Sequence, residues 1–132
     1  MESEVKQDEN VQNVQAVQNV QELSHEELEK RALLLVKGVS ADSSKEETAS
    51  YVKGLASAII TVWKKYNVAY LRCIGKGAIG NAVYAQAQAN IELAKQKVVL
   101  VGIPVYKTVS LEGVGERTAI VIELTSIEED SE

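Results

Sequence analysis

The sequence predicts an α/β domain, a two-layer sandwich in which two helices lie on one face of a four-stranded mixed sheet. Two long segments carry apolar residues at three- and four-residue steps, which is typical of amphipathic helices. Four other segments are rich in β-branched residues and are bounded by turn-forming residues, which is typical of strands. Their order along the chain is β-α-β-α-β-β.

The first strand is predicted at residues 32–39, an apolar run with a β-branched end and a polar turn after it. Ser44 follows as a helix cap, because Glu47 stands three residues later and can reach back to the cap backbone. The helix has one apolar stripe, formed by Tyr51, Val52, Leu55, Ala56, Ile59, Val62, Trp63 and Tyr66. We expect Trp63 and the tyrosines of this stripe in the core rather than on the surface as stacking platforms.

The second strand is predicted at residues 69–74, and the second helix extends from about residue 78 to residue 96. The helix is rich in small residues that let another stretch of backbone come close, and these are Ala82, Ala85, Ala87, Ala89 and Ala94.

The third strand begins at residue 98 and continues to residue 109, where Pro104 implies an edge position or a bulge. A loop at residues 110–116 contains two glycines and turns the chain back into the last strand, residues 117–125. The first and last strands are apolar at neighbouring positions, so both faces of the sheet carry apolar side chains. Because two helices cover one face, the sequence predicts a homodimer in which a second subunit covers part of the other.

The composition is that of a soluble globular protein, with 45% hydrophobic and 25% charged residues. No long apolar run predicts a membrane span, and the acidic first residues do not have the pattern of a signal peptide, so we expect a cytoplasmic protein. Cys73 falls within a predicted strand and is interpreted as a small core residue. His25 is far from it in sequence, and no pattern predicts a metal site, a nucleophile or a cofactor.

The net charge of −5 is unevenly distributed. Residues 1–31 carry eight acids and three bases, and residues 127–132 add four acids, whereas residues 32–126 carry eleven bases and seven acids. We therefore divide the chain into an acidic N-terminal extension, a mildly basic domain and an acidic tail. The extension contains valine at every third position from residue 11 to residue 20, a period that fits neither a helix nor a coiled coil, and we expect it to be mostly disordered. Ser24 has the spacing of a cap for a short helix ahead of the domain.

The turn Gly75-Lys76-Gly77 joins the second strand to the second helix and is the strongest functional signal in the chain. The first N–H groups of a helix have no intrahelical acceptor, and glycines let a ligand approach them. Lys76 adds a positive charge at the positive end of the helix dipole. This arrangement favours the binding of a phosphate group.

Two other interpretations of this turn remain open. Residues 75–80 satisfy G-x-G-x-x-G, the dinucleotide fingerprint, but the next predicted strand has no acidic residue to hold a ribose. Too few residues follow for a doubly wound sheet, so nicotinamide or flavin binding is disfavoured. The glycines could also serve only a tight strand-to-helix turn, with Lys76 in solvent.

Three stretches carry a resemblance to a known family: VSADSS at residues 39–44, IGKGAIGNAV at 74–83 and GERTAI at 115–120. Over about residues 33–125 the chain resembles the stage V sporulation protein S family, small bacterial proteins with the Alba-type fold. The resemblance implies a non-enzymatic nucleic-acid-binding or regulatory dimer linked to sporulation and development. It implies no small-molecule substrate.

In Alba-type proteins, a lysine in the turn before the second helix contacts the nucleic-acid backbone, and Lys76 occupies the matching place. The hairpin before the last strand is a second contact arm in that superfamily, but here it holds Glu112 and Glu116, a departure from strong duplex binding. The candidate nucleic-acid-binding residues are Gly75, Lys76, Gly77, Asn81, Lys107 and Arg117. The alternative is a protein-assembly module that acts through protein contacts without nucleic acid.

Overall fold

The structure is a computed structural model that describes residues 23–40 and 42–128. The chain divides between Arg31 and Ala32 into two units. The first unit contains helix α1 (His25–Arg31), whose cap is the Ser24 hydroxyl; it accepts a hydrogen bond of 3.0 Å from the Glu27 N–H. The valine repeat, for which disorder is predicted, lies outside the described residues, and so do residues 129–132 of the acidic tail.

The second unit has the predicted order β-α-β-α-β-β. Its elements are β1 (Leu33–Val36), α2 (Lys45–Tyr66), β2 (Ala69–Cys73), α3 (Lys76–Leu93), a 3₁₀ turn (Ala94–Gln96), β3 (Val98–Leu111) and β4 (Gly115–Glu128).

The strands form a single mixed sheet in the order β1-β2-β4-β3. β1 and β2 are parallel, and the other two pairs are antiparallel. Alternate residues of the strands, such as Leu71, Leu100 and Ile122, form one buried core with Ile59 of α2 and Ala82 of α3. Both helices therefore lie on one face of the sheet, which confirms the predicted fold class.

Local sequence explains how each helix begins and packs. Ser44 caps α2 through a complete capping box with Glu47, as the spacing predicts. α3 packs through an alanine face, since Ala78, Ala82, Ala85 and Ala89 are at most 1% exposed. Trp63 is partly buried and packs against the core, which confirms its predicted position.

Boundaries of four predicted elements were wrong, and for three of them the reason is tertiary. β1 ends at Val36 rather than at residue 39. The backbone N–H and carbonyl of Lys37 hydrogen-bond to side chains of the two helices, Tyr51 and Asn81, instead of to a neighbouring strand. α3 begins at Lys76 rather than at about residue 78, directly after the turn. β3 and β4 are longer than predicted, at 14 residues each, because they continue to pair with each other beyond the end of β2.

Burial is uneven on the sheet face opposite the helices. Tyr70 and Val121 are buried there, whereas Leu35, Ile103 and Val105 are each more than half exposed. In the part of the chain that is described, no helix has the length and apolar character needed to cross a membrane.

Candidate functional site

One end of the sheet gathers the features that the sequence analysis singled out. Val36, Cys73, Ile120 and Tyr106 lie side by side across the four strands. Directly beyond this row come the loop after β1, the turn between β2 and α3, and the part of the β3–β4 hairpin that extends past β2. We call this hairpin segment, residues 107–119, the arm. In an α/β sheet, the carboxyl ends of parallel strands are the usual place for a ligand.

Gly75 shapes the turn that opens α3. Its backbone has φ 93° and ψ 161°, a combination that is almost restricted to glycine. No side chain caps the helix, and the first intrahelical bond runs from Ile79 N–H to the Gly75 carbonyl, at 3.1 Å. The N–H groups of Lys76 and Gly77 therefore remain available to an external acceptor.

The charge at this helix end also suits an anion. The first turn of α3 contains no acidic residue, and the Lys76 side chain is exposed. The partial positive charge of the helix N-terminus and the ammonium of Lys76 therefore act in the same direction. Together with the open N–H groups, they form a site suited to a phosphate or another oxyanion.

Lys37 is a basic residue of this end that sequence reasoning missed. Its N–H donates to the Tyr51 hydroxyl at 2.8 Å, and its carbonyl accepts from Asn81 Nδ2 at 2.8 Å. A side chain of α2 therefore binds the Lys37 N–H, and a side chain of α3 binds its carbonyl. The Lys37 residue itself is exposed. The available signal was a lysine directly after the first of two adjacent parallel strands.

The loop that carries Lys37 lies against the start of α3. A Cβ atom added to Gly38 would come within 3.3 Å of the Ala78 nitrogen and 3.5 Å of the Gly77 carbonyl carbon. This contact needs a small residue on the loop side. It brings Lys37 to the same helix end as Lys76.

Asn81 lies inside rather than at the surface. It is 5% exposed, and its amide is committed to the Lys37 carbonyl. Its place in the site is that of a positioning residue, because it fixes the loop that presents Lys37.

The arm carries the other two predicted site residues. Lys107 and Arg117 are both exposed, but the strand register puts them on the sheet face opposite the helices. One guanidinium nitrogen of Arg117 donates to the Glu116 carbonyl at 2.9 Å. The structure therefore brings Lys37 and Lys76 to one helix end, and places Lys107 and Arg117 beyond the same row of the sheet but on its other face.

The glycine pattern does not have the packing of a dinucleotide site. In that fingerprint, the third glycine lets the helix approach a strand. Here a Cβ atom on Gly80 would meet nothing within 4 Å. The strand that should carry the ribose-binding acid, β3, is antiparallel and lies at the edge of the sheet.

Thiol or metal chemistry has little support at this end. Cys73 is fully buried, and burial raises the pKa of its thiol to about 11, so the thiolate is scarce near neutral pH. Among residues 23–40 and 42–128, no three histidine, cysteine or acidic side chains come together as metal ligands.

Comparison with known proteins identifies the family of the chain. No curated protein matches the chain. The sequence model of one family, Stage V sporulation protein S (SpoVS), matches residues 43–127. The match covers well over half of the chain and includes the open turn, α3 and the arm. With the two-layer fold and these three elements in place, the chain belongs to the stage V sporulation protein S family.

Proposed function

We propose that the protein is a non-enzymatic, dimeric regulator that binds nucleic acid through the phosphate backbone. The observation that carries the proposal is the uncapped N-terminus of α3, which has two exposed lysines beside it and no acid in its first turn. Membership of the family supports a role connected with sporulation.

The contacts available are those that position a protein on nucleic acid rather than read its bases. Main-chain N–H groups and lysines bind phosphate oxygens, which every sequence presents. We therefore expect weak affinity with little sequence preference. If two to four phosphates are neutralised, the slope of log K against log salt is about −2 to −4.

Charge reversal at Lys76 tests the proposal. In a fluorescence anisotropy titration at low salt, the full chain binds single- or double-stranded nucleic acid, and Lys76→Glu weakens binding at every salt concentration. Because Lys76 is exposed, we expect the variant to change the free energy of unfolding by no more than about 0.5 kcal/mol.

Lys95→Glu is the matched control. Lys95 is exposed and follows the far end of α3, about 28 Å from Lys76 at the rise of an α-helix. The same change in net charge there leaves binding largely intact if the α3 N-terminus is the site. Equal losses for the two variants would reduce the effect to net charge, and no affinity for any nucleic acid would end the proposal.

A protein-assembly role is the second candidate. The apolar residues Ile103, Val105 and Tyr106 are exposed along the edge of the sheet, and an exposed apolar edge is typical of interaction surfaces. A protein that fails to bind nucleic acid but assembles through this edge would favour it.

A further inference from the structure

β3 is an edge strand, and Leu100 shows which of its backbone groups face outward. The Leu100 N–H donates to Asn90 Oδ1 at 2.8 Å, and its carbonyl accepts from the amides of Gln86 and Asn90, both at 3.1 Å. These partners lie on α3, on the side away from β4. Because the direction of the backbone groups alternates along a strand, the even-numbered residues of β3 present their N–H and carbonyl groups to the outer edge.

Within the described residues, the outer edge is closed at Leu100, and the outward backbone groups of the even-numbered residues beyond it have no partner. The two amides of α3 occupy the backbone of Leu100, so another strand cannot pair there. From Gly102 to Ser110, no backbone or side-chain group of residues 23–40 and 42–128 hydrogen-bonds to the outward N–H and carbonyl groups of the even-numbered residues. Pro104 is even-numbered, so the N–H that it lacks would have faced outward, and it removes no bond to β4.

Most of this stretch is also apolar and exposed, with Val109 as the buried exception. Residues 102–108 are exposed without interruption, and within them Ile103 is 56%, Val105 52% and Tyr106 81% exposed. Lys107 is the sole charged residue of β3. An exposed edge strand with apolar side chains is a template for pairing with another strand.

We propose that this edge pairs with the same edge of a second copy, antiparallel over residues 102–110, about a two-fold axis at Tyr106. The ends of the stretch, residues 102 and 110, determine this register. Tyr106 is the midpoint between them, and a two-fold pairing uses the whole stretch of both copies only when the axis lies at the midpoint. The pairing rests on the dimer of the proposed function, to which it assigns an interface, and it does not depend on nucleic acid. It also differs from the homodimer predicted from the sequence, in which a second subunit covers part of the sheet face opposite the helices.

The side chains fit this register. Pro104 stands opposite Thr108 of the second copy, so Thr108 can donate its N–H to the Pro104 carbonyl, and only the Thr108 carbonyl lacks a donor. On one face, Ile103 lies opposite Val109, which places apolar side chains together. On the other face, the Tyr106 side chains of the two copies lie opposite each other. Lys107 lies opposite Val105 of the second copy, so two lysines do not face each other.

The pairing has a geometric consequence for the open helix ends. The two sheets become one, and the two-fold axis, perpendicular to it, leaves all the helices on the same face. Five strand spacings separate the two β2 strands, about 24 Å. The turn after each β2 starts at the level of the axis, because Cys73 and Tyr106 lie in the same row of the sheet.

Cysteine cross-linking in the full chain tests both the pairing and its register. In a hydrogen-bonded antiparallel pair, opposite Cα atoms are about 5.5 Å apart, within reach of a disulfide. Tyr106→Cys therefore forms a disulfide-linked dimer on mild oxidation without nucleic acid. Thr108→Cys is the matched control, because its two copies would lie about 14 Å apart. Both positions are exposed, so neither substitution should disturb the fold. The native cysteine, Cys73, is buried and should not compete for disulfide formation.

We expect about tenfold more linked dimer from Tyr106→Cys than from Thr108→Cys. Sedimentation of the unmodified chain should show a dimer, and hydrogen exchange should show protected N–H groups at Tyr106 and Thr108. A monomer at all concentrations, or equal linking of the two variants, would overturn the pairing. Protection that appears only when an extended peptide of another protein is added would assign the edge to that partner instead. None of these outcomes depends on whether the protein binds nucleic acid.

Discussion

The two long helices begin within the same unit of the chain, and their N-termini are built in opposite ways. At α2, the Ser44 hydroxyl accepts from the Glu47 N–H at 3.0 Å, and the Glu47 carboxylate accepts from the Ser44 N–H at 2.8 Å. Glu46 adds a second acid to the first turn. The polar groups and the dipole of this helix end are therefore satisfied from within the protein.

At α3, the corresponding groups are left open. Gly75 has no side chain to cap the helix, and a lysine occupies the position after it. A helix end without a cap gives up about 1 kcal/mol of stability, which is roughly what a Ser, Thr or Asp cap contributes. We interpret this loss as the cost of a binding site, because an external phosphate can supply the missing acceptors.

Gly75→Ala should have the largest effect on stability among the variants that test this contrast. The backbone of Gly75 lies in a region that costs other residues about 1–3 kcal/mol, so the free energy of unfolding should fall by about 2 kcal/mol. Urea denaturation measures it. Gly80→Ala is the control, since that glycine is in the helix with open space around it and should gain about 0.5–1 kcal/mol. Equal behaviour of the two variants would show that Gly75 is not a strained position.

Asn81→Ala should lower the free energy of unfolding by about 1.5 kcal/mol, because it removes a buried amide and its hydrogen bond to the Lys37 carbonyl. It should also weaken nucleic-acid binding, since the loop that carries Lys37 loses one of its two supports. Gln88→Ala, on the same helix, should change stability by less than about 0.5 kcal/mol. Unchanged binding in Asn81→Ala would remove Lys37 from the site.

Ser44→Ala should have the smallest effect, a loss of about 1 kcal/mol from the free energy of unfolding. Because the N-terminus of α2 is closed, nucleic-acid affinity should not change. Ser50→Ala, at an exposed position inside the same helix, should be neutral or slightly stabilising. A change of affinity in Ser44→Ala would mean that both helix ends contribute to binding.

Much of this contrast could be predicted from sequence. The capping box at Ser44 and Glu47 is a local pattern, and the glycines around Lys76 are a local pattern of the opposite kind. Asn81 could not be interpreted in this way. A polar residue on the first turns of a helix usually faces solvent, and its burial depends on a carbonyl that is distant in sequence.

The hairpin shows a similar limit. Alternation and turn residues predict two strands, but the length of an arm depends on how far two strands continue to pair after a third has ended. Lys107 and Arg117 were predicted as candidate binding residues, and the sheet face on which they lie follows only from the register between β3 and β4.

The sequence by itself determined the order of the elements, the cap of α2, the open turn before α3 and the edge position implied by Pro104, because each depends on residues near one another in the chain. The tertiary structure decided the rest. It held Lys37 between two helices, buried Asn81 and closed the edge at Leu100 with two amides from α3. Within the described residues, it left the outward backbone groups of Gly102, Tyr106 and Thr108 without a partner. These features join groups far apart in sequence, and only packing of the helices on the sheet brings them within hydrogen-bonding distance.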